Sequence, residues 1–329
     1  MNNFKSIFAT ELNEYLSIRQ MTLEEGTCKI DRHVLEDFDN YFTGKDTTEK
    51  VITEEIINGW IAHLKNKKNH SRTISHKVGN LRGFLRYLRY CGVPVFMPQC
   101  PKCCADYVPY IFSDDELDKM FYHADTTKSS GSATNFEAAM LIRLLYGCGL
   151  RHGEALKLIR SDVDFKKGTL LLRQAKNKKQ RIVPMHQSLT KILMQYCVAM
   201  GIYDLPEAFL FPGKKPNAPI SMSSMEDKFH SALKSANVYI ASEKPGQRGQ
   251  CLHCLRHVFA VKSFAQAEKN GRSTADSVPY LSVYLGHFDM DGTEKYLKFS
   301  SDIFPEHTAM FEAYSSGVFT VLGGAFDET

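Results

Sequence analysis

Between Ile56 and Ala105 the sequence has no aspartate or glutamate. The acidic residues of the first 105 positions all come earlier, at Glu11, Glu14, Glu24, Glu25, Asp31, Glu36, Asp37, Asp39, Asp46, Glu49, Glu54 and Glu55. The acid-free stretch holds Lys65, Lys67, Lys68, Arg72, Lys77, Arg82, Arg86, Arg89 and Lys102. A solvated helix face ordinarily mixes signs, so a one-sign stretch fits a surface turned toward a polyanion. The formal net charge of +4 conceals this, because the excess is local. Also missing is any apolar run of the roughly 20 residues a membrane-spanning helix needs, so no membrane partner is expected. Residues 2–19 are amphipathic rather than continuously apolar, which does not suit a secretory signal; the expected location is the cytoplasm. Nine cysteines, an odd number without secretory context, argue for reduced thiols rather than a disulfide framework.

Two cysteine pairs have CxxC spacing, Cys100/Cys103 (with Cys104 adjacent) and Cys251/Cys254, and together could be read as a four-thiolate zinc site. The second pair brackets His253 on an expected helix, which disfavours that reading. No metal is assigned, although Cys100 and Cys103 alone leave the question open.

The 329 residues allow two domains with their own cores, and 43% apolar with 24% charged residues is ordinary for a globular protein. The first part reads as helices only. Apolar residues of helical period recur at Phe8, Leu12, Tyr15 and Leu16, then at Ile30, Val34, Leu35, Phe38, Tyr41 and Phe42, ending near Gly44. Thr53 caps a third helix with Glu54 and Glu55 in its first turn. A fourth, about Arg72 to Tyr90, is apolar along Val78, Leu81, Leu85 and Leu88 and basic along Arg82, Arg86 and Arg89. Gly92-Val93-Pro94 ends this module, and a Pro/Cys-rich linker is expected to about Pro109. The boundary falls at 105/106.

Ser113-Asp114-Asp115-Glu116 is a capping box opening the next helix. An apolar helix from Phe136 to Tyr146 leads into Gly147-Cys148-Gly149-Leu150-Arg151-His152-Gly153-Glu154-Ala155-Leu156. The period then changes to two: Val163 to Phe165, Thr169 to Arg173 and Arg181 to Pro184 read as short strands. The last hairpin carries Lys176, Lys178, Lys179 and Arg181. Helices at about Gln187–Met200 and Ser223–Ala236 follow. An extra loop is expected at Glu268–Ser273, and an apolar, glycine-broken tail at Val318–Phe326.

The chemistry concentrates late in the chain. His253 and Arg256, three apart, share a helix face. Leu285-Gly286-His287 follows an apolar run and a glycine able to end a helix, and Tyr296 comes nine residues after His287. Two imidazoles, a guanidinium and a phenol suit chemistry on a phosphodiester: the guanidinium forks onto phosphate oxygens and the phenol can act as nucleophile.

H-x-x-R, L-G-H and the following tyrosine resemble the second signature box of tyrosine recombinases, the phage-integrase and Xer-like enzymes. Gly149-Leu150-Arg151-His152-Gly153-Glu154 resembles their first box, and Lys176 to Pro184 their K-x-x-K-x-R-x-V-P hairpin. The resemblance implies a mostly α fold with a small antiparallel sheet: a helical core-binding domain at 1–105 and an α+β catalytic domain with a C-terminal tail at 106–329. It implies a site-specific DNA recombinase, an integrase or mobile-element enzyme, that cleaves and rejoins DNA through a 3′-phosphotyrosine. Arg151, Lys176, His253, Arg256, His287 and Tyr296 would be catalytic, with Lys178 the alternative to Lys176. Lys65, Lys67, Lys68, Arg72, Lys77, Arg82, Arg86, Arg89, Lys178, Lys179 and Arg181 would face DNA, the hairpin cations as backbone contacts or solvated turn charges. No cofactor is expected, since arginines take the place metals fill elsewhere. The partners would be double-stranded DNA and, on paired sites, three further copies in a homo-tetramer; free in solution the chain would be monomeric. A type IB topoisomerase-like relaxing enzyme and a non-catalytic DNA-binding relative compete with this reading. The compact motif spacing and the small helical first domain favour a recombinase over the topoisomerase, and the complete residue set argues against a mere binder.

Overall fold

A computed structural model describes residues 4–45, 49–102, 109–126, 134–173, 180–215, 217–241 and 249–287, with the single positions 290, 293 and 296. Lys176, Lys178, Lys179, Cys103, Cys104 and the tail at Val318–Phe326 lie outside the described residues. The chain divides into two compact units, Met1–Asp106 and Tyr107–Thr329.

The first unit contains α1 (Ala9–Thr22), α2 (Glu25–Thr43), α3 (Glu54–Asn66) and α4 (Ser71–Tyr90). Each turns its apolar stripe inward, as the periodicity requires, except that Ile30, expected on the α2 stripe, is 59% exposed. Thr53 caps α3 by accepting from the Ile56 N–H. Behind α4, Val95 forms an isolated parallel bridge with Ile52, closing the unit. Two carboxylates of α2 are buried, and each is satisfied. Asp39 accepts from the backbone N–H groups of Lys5 and Ser6, tying the N-terminal segment to α2, and Asp31 accepts from Arg19. The chain's one tryptophan, Trp60, is fully buried and meets Phe38 edge-on at 5.4 Å. Phe38→Ala should therefore cost this unit about 3–5 kcal/mol. Urea unfolding followed by Trp60 emission reads the unit selectively; a loss below about 1 kcal/mol would contradict this packing.

In the second unit, Ser113 and Glu116 bond each other's backbone N–H groups in a reciprocal capping box at the start of α5 (Asp114–Thr126). The long apolar α6 (Thr134–Cys148) is central, packed on α5, on α8 (Gln187–Ala199), on α9 (Met222–Ser235) and on α10 (Leu252–Lys269). A helix apolar on all sides belongs in such a position. After α6 come the one-turn α7 (His152–Ala155), a 3₁₀ turn at Arg160–Asp162, and an antiparallel sheet of β1 (Val163–Asp164), β2 (Thr169–Leu172) and β3 (Arg181–Pro184) in that order. Leu170 pairs with Val183 on the buried face, and Leu172 pairs with Arg181. α10 is followed by α11 (Thr274–Leu285). The fold is thus mostly helical with a small antiparallel sheet.

The extra loop expected at Glu268–Ser273 is shorter than the sequence implied. Glu268 and Lys269 continue α10, and Gly271, at a φ of +78°, makes the turn into α11. Nothing before Gly271 breaks the helical hydrogen bonding, so the surplus length went into helix. A small apolar cluster of Ala260, Phe264, Val278, Leu281, Leu285 and Tyr296 joins α10 to α11 and holds the Tyr296 ring.

Candidate active site

α10 brings His253, Arg256 and His257 into the site, at helical spacings of three and four residues. Arg256 is 1% exposed and reaches between two helix ends. Its guanidinium donates to the Gly149 carbonyl just past α6 (2.6 Å) and to the Leu285 carbonyl at the end of α11 (2.8 Å). Carbonyls at a helix C-terminus lack intrahelical donors and carry the negative end of the dipole, so they suit a buried cation. Arg151, the residue before α7, donates to the next carbonyl, Gly286 (2.8 Å). Two arginines separated by more than a hundred residues of chain are therefore held side by side at one helix end. Burial pulls Arg256 down to about 10, with Arg151 adding repulsion, which still leaves it charged at neutral pH.

Arg256 also meets the His287 Nε2 at 3.0 Å, while the His287 Nδ1 lies 2.6 Å from the Thr293 hydroxyl. A guanidinium can only donate, so Nε2 accepts, and the imidazole is neutral with its proton on Nδ1 facing Thr293. Tyr296, 4% exposed, has its phenol near the Arg256 charge. Its ring stacks on His287 at 6.2 Å and tilts against His257 at 5.3 Å. Burial raises the phenol above its ordinary pKa, opposed by the charges of Arg256 and then Arg151. His253 stands edge-on to His257 at 4.8 Å and to His152 at 6.1 Å.

A second layer holds the arginines. Glu154 accepts from Arg151 (2.8 Å) and from both terminal nitrogens of Arg181 (3.1 and 2.7 Å). Burial opposes ionisation of Glu154, but Arg181 and Arg151 outweigh it and hold the carboxyl below its usual range. With two guanidiniums bound, Glu154 serves as an anchor and not as a proton acceptor. Gly286 ends α11 in the left-handed region at a φ of +67°, and a Cβ there would fall 2.7 Å from the Arg181 Nη1. Gly286→Ala should combine left-handed strain of about 1–2 kcal/mol with displacement of Arg181. A thermal melt would show the loss; an unchanged melting temperature would contradict the described approach.

These are two guanidiniums on neighbouring carbonyls, a buried phenol and imidazoles gathered around them. Residues 111–300 match the Phage integrase family, and residues 4–87 match the Phage integrase SAM-like domain. The chain belongs to the phage integrase family. It is a site-specific tyrosine recombinase, and enzymes of this family catalyse DNA strand cleavage and exchange. The recombinase is 30% identical to tyrosine recombinase XerC of Oceanobacillus iheyensis over 299 residues, 88% of this chain and 90% of that protein. Its fold is similar to XerH site-specific recombinase bound to palindromic difH substrate in a post-cleavage complex, with a TM-score of 0.65, 17% identity, and 95% and 92% of the two chains covered. It is also similar to a lambda integrase dimer bound to a COC′ core site, with a TM-score of 0.65, 16% identity, and 87% and 94% covered.

Of the six residues expected at the recombinase's centre, the structure gathers Arg151, His253, Arg256, His287 and Tyr296; Lys176 lies outside the described residues. His257 and Thr293 were given no role from sequence. His257 is legible after the fact, since the fourth residue after His253 must face the same side of α10. Arg181, expected as a DNA-backbone contact or a solvated turn charge, pairs with Glu154 in this structure, its side chain 13% exposed. Its direction follows from period two, because Arg181 shares a strand face with the buried Val183. In the first unit Lys65, Lys68, Arg72, Arg86 and Arg89 are exposed, and Arg89 also donates to the Val95 carbonyl. Arg82 lies against the Cys100 sulfur, while Lys67 and Lys77 both pair with Asp37. Those two expected phosphate contacts thus share a single acid of α2, leaving a net positive charge, and this pairing the linear charge pattern could not show.

Proposed function

We propose that the Tyr296 oxygen attacks a scissile phosphate of double-stranded DNA, forming a 3′-phosphotyrosine while the bond to the 5′ oxygen breaks. Arg151 and Arg256 neutralise the non-bridging oxygens and the charge added in the transition state. For His287 to donate a hydrogen bond to the same oxygens, the phosphate must take its place on Arg256 and its Nε2 must carry a proton. His253 takes the phenolic proton and Lys176 gives one to the departing 5′ oxygen, each step typically worth about 10²–10⁴-fold. Because His257 stands between His253 and Tyr296, the assignment requires Tyr296 to move toward His253 when DNA enters. The phosphotyrosine keeps the bond energy, so a second strand's 5′-hydroxyl reverses the chemistry without ATP. Strand exchange needs two sites and hence a tetramer of the chain on DNA, acting in the cytoplasm. The exposed cations of α3 and α4 supply sequence-independent phosphate contacts.

The observation that supports this most is the burial of Tyr296 between His257 and His287, whose Nε2 meets Arg256, with the Arg256 charge close to the phenol. A phosphate drawn to that guanidinium would meet the nucleophile there. The test is a nicked suicide duplex carrying the ends of any mobile element that genome sequencing finds beside the gene. A covalent protein–DNA adduct should accumulate on denaturing gels, in undiminished yield with excess chelator. Binding without adduct, or adduct abolished by chelator, would overturn the reading.

A further inference from the structure

The Cys251/Cys254 pair has no part in the recombination chemistry. The two sulfurs lie 3.7 Å apart at the start of α10, on either side of His253 in the chain. Their surroundings differ in the way a thiol–disulfide exchange pair requires. Cys251 is the residue preceding the helix and is partly exposed, whereas Cys254 is completely buried one turn in. Helix N-termini stabilise thiolates, and CxxC geometry lets a buried thiol support its neighbour. Here the Cys254 thiol bonds to Cys251, burial opposing and the backbone N–H groups of His253 and Cys254 assisting, and Cys251 falls to about 7. Cys254 is shifted the other way, first by that same hydrogen bond and then by burial. An attacking thiol is most effective with a pKa near ambient pH.

We propose that Cys251 and Cys254 are a redox modification site: they close to a reversible disulfide by exchange with a small disulfide of the glutathione type, and the closed bond slows DNA cleavage. The Cys251 thiolate attacks one sulfur of the small disulfide, forming a mixed disulfide and releasing a thiolate. That thiolate takes up the proton Cys251 had given to solvent. Cys254, losing its own proton, then attacks the Cys251 sulfur and expels the second small thiol, which is protonated in turn. Two protein thiols are oxidised and one small disulfide is reduced to two thiols, so atoms and electrons balance. Closing the sulfurs from 3.7 Å to the roughly 2.05 Å of a disulfide must tighten the first turn of α10. That turn carries His253, whose ring is set against His257 at 4.8 Å. A displacement of order 1 Å at a catalytic group is costly, so adduct formation should fall about ten-fold or more. This second half rests on the role given to His253 above; disulfide formation itself does not.

The experiment equilibrates the full chain in reduced/oxidised glutathione mixtures, quenches with an alkylating agent, maps peptides by mass, and measures suicide-substrate adduct rates on the same samples. A Cys251–Cys254 disulfide should appear, reversible by dithiothreitol, with the adduct rate falling in proportion. Cys251→Ser should cleave at the reduced wild-type rate and ignore the oxidant. Cys254→Ala, which removes the resolving thiol, should instead trap glutathione on Cys251. If Cys251 and Cys254 stay alkylated throughout the series, or if the disulfide forms and cleavage continues at the reduced rate, the proposal is overturned. Because the wild-type map needs no variant to fold, the first outcome is decisive by itself. Failure of the fully reduced protein to form any adduct would count against the assignment of Tyr296, not against the thiol pair.

Discussion

Tyr296→Phe is expected to eliminate the covalent DNA adduct while leaving DNA binding in place. The phenyl ring keeps its contacts with His257 and His287 and its place in the α10–α11 cluster. What goes is the oxygen, and with it both the nucleophile and a polar neighbour of Arg256. That guanidinium retains the Gly149 and Leu285 carbonyls and His287, so it is not left unsatisfied. The stability loss should stay within the roughly 1.5–3 kcal/mol of a hydrogen bond to a charged group. The measurement pairs adduct yield on the nicked duplex with gel-shift affinity and a thermal melt. An adduct in wild-type yield would remove Tyr296 from the mechanism. Loss of binding together with adduct would mean that the phenol holds the site's shape instead.

Lys176→Ala and Arg256→Ala should both slow cleavage severely, yet respond oppositely to a change in the leaving group. If Lys176 protonates the 5′ oxygen, its absence leaves a strongly basic alkoxide to depart, a loss of about 10²–10⁴-fold. With sulfur as the bridging atom the leaving group needs no proton, since thiols ionise near neutral pH, and Lys176→Ala should recover most of its rate. Arg256→Ala should not recover, because that charge acts on the non-bridging oxygens. It should also lower stability, since the Gly149 and Leu285 carbonyls lose their donor at about 1–3 kcal/mol each. Arg256→Lys would not restore both, for an ammonium lacks the fork that spans two helix ends. Lys178→Ala is the register control. Rescue there and not at Lys176 would move the assigned acid by two residues along the hairpin.

Much of this was legible in the linear sequence because it depends on local periodicity. The apolar stripes of α1 to α4, the Thr53 cap, the Ser113/Glu116 box, the short strands and the helix stop at Gly286 follow from spacing and backbone chemistry alone. The motif residues Arg151, His253, Arg256, His287 and Tyr296 were also identifiable as candidates, since their order and spacing resemble those of a known family.

The sequence by itself determined which side chains exist for the chemistry and which helix or turn each one sits on. Only the tertiary structure decided what each charge faces. The sequence left Lys67, Lys77 and Arg181 without partners, whereas α2 places Asp37 against both lysines and the fold puts Glu154 opposite Arg181. The same holds for Arg256, whose buried charge is tolerable because the ends of α6 and α11 converge on it with open carbonyls. Periodicity is a property of a few consecutive residues, whereas the sign and distance of a charge's neighbours depend on elements far apart in the chain. Coulomb energy falls with spatial separation, not with sequence separation, so these pairings could be decided only in three dimensions.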